Sequence, residues 1–341
     1  MKEPSFADSL QVLLLQAADE GRGPVLFGES CKRVAREAGP FMIGNSFPSV
    51  YLECPLAGEP FMDITVLYSD IDRGSRVDHQ AAEGANGMLE WFARDCVSRE
   101  SVCCGFELDV KNPALPAAAV HFQPRADTEL VRPFCESVGE PERADLYLNL
   151  AARMPEGWPL SFFGMFRGRP GSPLRVCGYL SEDEKEACGQ DTARIKCVFD
   201  TVGFSAYDEE MLDEVCGFMR ETPGAVDFQF DVYPDGSIGD TFAIDAQFAI
   251  EQPGAVKESF ESGGAHGLMR MMEEKGIADE RWKLVPEAAF ASALPVNRAD
   301  GSVGKYAFVL MPQWAKVRWS KGVLQPAKMY FLANASFVDE R

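Results

Sequence analysis

Histidine is scarce in this chain. There are three in 341 residues, none within five positions of another, so the paired spacing of a histidine zinc site does not occur. The ten cysteines include no C-x-x-C pair, which argues against a structural zinc site and fits free thiols in a reducing compartment, several packed as small hydrophobes. No run approaches the roughly 18 to 20 apolar residues of a membrane helix. The stretch from Val12 to Leu15 is too short for the core of a secretory signal, so a cytoplasmic location is expected. Basic charge is also short: 33 Lys and Arg stand against 53 Asp and Glu, a net charge of −20. Such a surface repels phosphate backbones, and without a compensating basic stripe it excludes nucleic acid as an expected partner. Neither a phosphate-loop Gly-Lys-Ser/Thr nor a G-x-S-x-G elbow is present. Gly168-Arg169-Pro170-Gly171-Ser172-Pro173 reads as a hairpin turn.

The chain is 46% hydrophobic, 11% aromatic and 25% charged, which is ordinary for a globular protein with a sizeable core. Its order of elements carries the information. Helical periodicity covers Phe6 to Ala18 and Ser30 to Glu37. A strand pair follows, Ser49–Cys54 and Phe61–Tyr68. Helix is expected again over Gln80 to Val97, then strands over Gly105–Val110 and Ala118–Gln123, split by an Asn-Pro turn. Helical signal returns from Thr128 to Arg153, before a pair at Leu160–Arg167 and Leu174–Leu180. Ser181-Glu182-Asp183-Glu184 is a capped helix start, with helical pattern to Met219. A fourth pair, Asp227–Tyr233 and Thr241–Ile250, is linked by Pro-Asp-Gly. Helix is expected over Gly254 to Ala293, and a fifth pair, Tyr306–Trp319 and Pro326–Phe331, closes the chain. Strands joined by such short turns are antiparallel hairpins, unlike the single strands of doubly wound or TIM-type sheets.

Within the strands, polar and apolar residues alternate. Asp227, Gln229 and Asp231 oppose Phe228, Phe230 and Val232. Glu107 and Asp109 oppose Phe106, Leu108 and Val110, and His121 and Gln123 oppose Val120 and Phe122. Asp245 and Gln247 oppose Ile244, Ala246 and Phe248. Lys316 and Arg318 oppose Val317 and Trp319, and Lys328 and Tyr330 oppose Met329 and Phe331. Two architectures satisfy this pattern: an open antiparallel sheet with helices on one face, or a closed ten-stranded barrel with helices outside and a polar lumen. The polar faces carry aromatics and ions of both signs, which favours the closed barrel. Ten strands enclose enough space for a ligand.

This arrangement resembles the ABBA prenyltransferase barrel, built from helix-strand-strand-helix repeats, and within it most closely the cyanobactin-type peptide prenyltransferases. The resemblance is carried by the element order across residues 1–341, read as a single barrel domain. It rests also on Val50-Tyr51-Leu52-Glu53, Ala119-Val120-His121-Phe122-Gln123 and Pro326-Ala327-Lys328-Met329-Tyr330. It implies transfer of a dimethylallyl or geranyl group from an allylic diphosphate to a peptide side chain or an aromatic small molecule. Glu53 would orient or deprotonate the acceptor. Arg167, Arg175, Tyr179, Lys316, Arg318, Lys328, Tyr330 and His121 would bind the diphosphate, and lumen aromatics would shield the carbocation.

Three departures stand against that pattern. Ala119 and Gln123 flank His121 where relatives carry basic residues, the strand at Asp63-Ile64-Thr65-Val66 has no arginine, and the eighth strand offers Asp245 and Gln247. A lumen holding Asp63, Asp109, Asp227, Asp231 and Asp245 would repel a diphosphate unless Mg²⁺ or the basic cluster intervenes. The acids could bind a metal, or Glu107, Asp227, Asp231 and Asp245 could cradle a cationic acceptor such as an arginine side chain. Alternatively the diphosphate site is lost, which leaves a non-catalytic barrel that binds a peptide or cationic ligand. No DDxxD-like motif suggests the helical trans-prenyltransferase fold, and no organic cofactor is implied.

Overall fold

The computed structural model describes residues 5–10, 26–27, 31–44, 47–97, 99, 101–109, 118–298 and 300–338. Twelve strands form one antiparallel sheet: β1 Ser49–Pro55, β2 Asp63–Tyr68, β3 Cys103–Leu108, β4 Ala119–Gln123, β5 Leu160–Met165, β6 Leu174–Tyr179, β7 Val226–Val232, β8 Ile238–Gln247, β9 Phe290–Asn297, β10 Val303–Ser320, β11 Val323–Leu324 and β12 Lys328–Phe337. Strands β1 to β8 pair in sequence order, β12 joins β1 to β10, and β10 pairs back to β8 from Trp314↔Gln247 to Ser320↔Thr241. The sheet is therefore a closed barrel of ten strands, with β9 and β11 outside the ring. The hairpins expected from the sequence form its walls.

Closure follows from the alternation. The outward residues Phe106, Phe122, Phe163, Phe228 and Phe242 are buried to 1% exposure or less because helices cover them. Phe134 of the helix Val131–Ser137 stacks on Phe122 at 4.4 Å and 8°, and Phe199 of the helix Thr192–Val202 meets Phe242 at 4.8 Å. Each such ring withdrawn from water contributes about 1.5–3 kcal/mol. Ser181 caps the helix Glu182–Cys188 through the amide of Glu184, as its sequence pattern predicts. Packing around the barrel is close: a Cβ at Gly105 would overlap the carbonyl oxygen of Val66 on the neighbouring strand. Only glycine fits there.

The expected helix over Gly254 to Ala293 is corrected at its end. Helices cover Val256–Glu261, Gly264–Glu274 and Val285–Ala288, but Phe290 onward is strand β9, paired with the first half of β10 from Leu310↔Phe290 to Val303↔Asn297. Alanines at 291 and 293 support helix as readily as strand, and Pro295 is tolerated because β9 is an edge. Of the first expected helix, residues 6–10 are helical. Residues 11–18, Ser30, Val110 and the Asn112-Pro113 turn lie outside the described residues. Nine described cysteines are thiols, all but Cys197 buried. No helix among the described residues is long and apolar enough to cross a membrane.

Candidate active site

The polar strand faces enclose two adjoining chambers. The smaller, about 40 Å³, lies where β1, β3, β5 and β7 end, and Arg169, Arg175, Lys316, Arg318 and Lys328 line it with Glu53. The larger, about 310 Å³, continues down the barrel past Tyr51, Trp314, His121, Asp227 and Asp245. Glu107, Arg175, Gln229, Lys316 and Tyr330 border both.

Each cation that lines the smaller chamber, but one, faces an acid. Lys328 Nζ and the Tyr330 hydroxyl both donate to Glu53, which is 8% exposed. Burial alone would depress the Lys328 ammonium, but the Glu53 carboxylate outweighs it and raises its pKa. Lys316 Nζ donates to Tyr330 Oη at 2.9 Å and lies 3.7 Å from Asp245 Oδ1. Arg175 grips Asp231 through Nε and Nη2 at 2.9 and 3.2 Å. Against the opposing effect of burial, that carboxylate holds the guanidinium above its usual range. Arg169 Nη2 donates to Glu107 at 3.1 Å and to Asp109 at 3.4 Å, and lies over the Phe166 ring. Arg318, at the mouth, makes no ion pair with any described residue. Among the described residues this leaves donors without a protein partner on side chains that line the chamber: the second amino group of the Arg175 fork, two N–H of Lys328, and Arg318 entire.

The acids split into two electrostatic groups. Burial would raise Glu107, yet the hydrogen bond from His121 at 3.0 Å and the charge of Arg169 reverse this and hold its carboxyl well below the usual range. Asp63, opposite Glu53 in the β1–β2 ladder, is lifted to about 7 by burial and then by the Glu53 charge. Asp227 is lifted to about 7 by burial and by Asp245, and Asp245 itself is raised by burial despite Lys316. Along one wall Tyr51, Trp314 and Tyr330 form an aromatic shelf, with centroids 4.9 Å and 5.2 Å apart and the latter pair stacked at 19°. Burial pushes the Tyr51 phenol up to about 12, so it stays a neutral donor.

Glu53, Arg175, Lys316, Arg318, Lys328 and Tyr330 thus converge from four strands. Three other diphosphate candidates from the sequence, Arg167, Tyr179 and His121, do not join them. Arg167 lies past the end of β5, where alternation no longer applies, and its Nε binds Glu140 at 2.8 Å. Tyr179, at the far end of β6 beside Asp227, is 44% exposed. His121 sits lower, on Glu107, its ring packed where a Cβ at Gly164 would come within 2.7 Å of Cε1. Asp231 and Glu107 belong to the cation chamber, whereas Asp227 and Asp245 face the larger one. The sequence reading missed Arg169, which it counted as a turn residue. It also missed Tyr51 and Trp314, which lie one alternation step beyond Glu53 and Lys316.

The carboxylates do not fit a Mg²⁺ held by the protein. Among the described residues no three Asp, Glu, His or Cys side chains are grouped to hold a metal ion, Glu53, Glu107 and Asp231 already face Lys328, Arg169 and Arg175, and a hard dication needs several carboxylate or water oxygens free of such partners.

No family model matches this sequence, nor does any curated protein. The fold does have solved counterparts. The chain superposes on 5-dimethylallyltryptophan synthase from Streptomyces coelicolor with a TM-score of 0.52 and 12% identity, covering 97% of both chains. On the apo form of the prenyltransferase PriB it gives 0.51 and 16%, covering 97% of this chain and 96% of that one. The architecture is the ten-stranded ABBA prenyltransferase barrel.

Proposed function

We propose that the chain is a prenyltransferase that moves a dimethylallyl group from its diphosphate to an aromatic acceptor. The observation that carries this reading is the convergence of Arg175, Lys316, Arg318 and Lys328 on one small chamber beside an aromatic shelf. The barrel shared with a 5-dimethylallyltryptophan synthase supports it as analogy. The diphosphate takes the free donors of Arg175, Lys328 and Arg318. The allylic C–O bond breaks, and the diphosphate leaves with the electron pair. Tyr330 borders both chambers and Trp314 the larger one, so the resulting cation meets aromatic rings, whose quadrupoles attract it. An electron-rich atom of the acceptor in the larger chamber attacks the allylic carbon, and the displaced proton passes to Glu53 through the hydroxyl of Tyr330, which borders both chambers and donates to that carboxylate. A chamber of about 310 Å³, at the low end of ligand pockets, favours dimethylallyl over geranyl and a small aromatic over a long peptide. A peptide side chain presented from outside, as in the cyanobactin-type enzymes, is the alternative acceptor.

The pairing of nearly every lumen cation with an acid favours a second reading, a barrel that binds a ligand without turnover. Calorimetric titration with dimethylallyl thiolodiphosphate, a non-ionising analogue, with and without Mg²⁺, separates the two. Micromolar binding that Arg318→Ala or Lys328→Ala weakens supports the donor site, and an acceptor screen with dimethylallyl diphosphate then follows. No binding by folded protein refutes it.

A further inference from the structure

The geometry points to an acceptor that carries a positive group, ammonium or guanidinium, held between Asp227 and Asp245 against the rings of Tyr51 and Trp314. The word acceptor rests on the prenyl-transfer reading above; the cation site itself does not.

Asp227 and Asp245 are direct cross-strand partners in the β7–β8 ladder, and both face the larger chamber. Like charges placed opposite each other destabilise a strand pair. Glu53, Glu107 and Asp231 are each in direct contact with a cation, Lys328, Arg169 and Arg175 respectively. This pair is instead held by neutral amides. Gln247 Nε2 donates to Asp227 Oδ2 at 3.2 Å, and Gln229 Nε2 donates to Asp245 Oδ2 at 2.5 Å.

A second observation is independent of the clustering. Asp245 is 3% exposed, and its Oδ1 has no hydrogen bond from any described residue. The ammonium of Lys316 stops 3.7 Å away, engaged by Tyr330. A buried carboxylate oxygen left so is costly unless a ligand donor completes it. Burial and the charge of Asp245 hold Asp227 up to about 7 despite the Gln247 amide and the charges of Arg125 and Lys316. Tyr51 and Trp314, their ring centroids 4.9 Å apart, line the same chamber. Carboxylates and aromatic rings lining one chamber are the surroundings that bind organic cations.

The test is calorimetry on the whole protein at pH 8 with three probes: agmatine (a guanidinium), tryptamine (an aromatic ammonium) and 3-methylindole (a neutral ring). At least one cation should bind tenfold or more tightly than the neutral ring. Asp227→Asn and Asp245→Asn should each weaken that binding at least tenfold while melting no lower than the parent, since each relieves repulsion. Agmatine and tryptamine together distinguish a guanidinium from an aromatic amine as the preferred class. Equal affinity for 3-methylindole overturns the proposal, as do variants within twofold of the parent or no binding of either cation at millimolar concentration. Cation binding without binding of the thiolodiphosphate leaves this site standing and refutes the donor reading. The reverse result refutes this site alone.

Discussion

Glu53→Gln should act in opposite directions on donor binding and on turnover. Glu53 takes the ammonium of Lys328 and the hydroxyl of Tyr330, so its negative charge stands one ammonium's width from a diphosphate held by Lys328. At roughly 6–7 Å and an effective dielectric near 20, that repulsion is about 2–3 kcal/mol. Lys328 is 28% exposed at the side chain, and solvent there reduces the figure to about 1.5 kcal/mol, roughly tenfold in affinity. Glutamine keeps the shape and still accepts from Tyr330, but it cannot take a proton from the acceptor. Dimethylallyl thiolodiphosphate should therefore bind the variant about tenfold more tightly, whereas transfer should fall by about 10²- to 10⁴-fold. Calorimetry and product analysis on the same preparation give both quantities. Unchanged or weaker donor binding, or transfer within threefold of the parent, would refute the placement of Glu53 between donor and acceptor.

Other consequences can be measured without an acceptor. Asp63 and Asp227 have folded pKa values raised to about 7, above their unfolded values near 4. The folded chain therefore keeps protons that the unfolded chain has released, and this stabilisation is lost as pH rises through 7. Glu107 is depressed and works the other way, losing its contribution as pH falls below about 4. Unfolding free energies from urea titrations should peak near pH 4 and fall by several kcal/mol, on the order of 4 or more, by pH 8, and Asp63→Asn with Asp227→Asn should flatten the alkaline side. Gly105→Ala, which drives a Cβ into the Val66 carbonyl, should cost about 3 kcal/mol in the same assay; a loss under 1 kcal/mol would show that β2 and β3 can separate freely. Arg175→Lys keeps the charge but loses the fork on Asp231, and should weaken thiolodiphosphate binding about tenfold.

The strands and the lumen face were legible because one physical rule, period-two alternation, governs both. A helix-covered strand must be apolar outward, so its other side is exposed as polar, and Glu53, Arg175, Lys316 and Lys328 follow from that alone. The rule fails wherever a residue leaves the ladder. Arg167 and Arg169 lie in the β5–β6 turn, where the chain direction rather than parity decides which guanidinium enters the barrel, and the sequence suggested the wrong one. Strand β9 escaped because alanine is ambivalent and half its side chains face water. The acidic character of the lumen could be read, but its pairing could not. Which acid meets which base depends on register across strands far apart in sequence, such as Glu53 with Tyr330 or Arg175 with Asp231.

The insertion of β10 and β12 between β8 and β1 bears on how the molecule is made. In order of synthesis the first eight strands emerge with β1 and β8 as two bare edges, which cannot zip to each other in the native register. Such edges invite pairing with other chains. Residues 303–337 must arrive to bridge them, over sequence separations that make the step slow. Those same residues bring Lys316, Arg318, Lys328 and Tyr330. A nascent chain lacking them therefore has no closed wall and lacks Lys316, Arg318 and Lys328 among the cations of the smaller chamber, and the enclosed interior comes into being only when the last strand is in place.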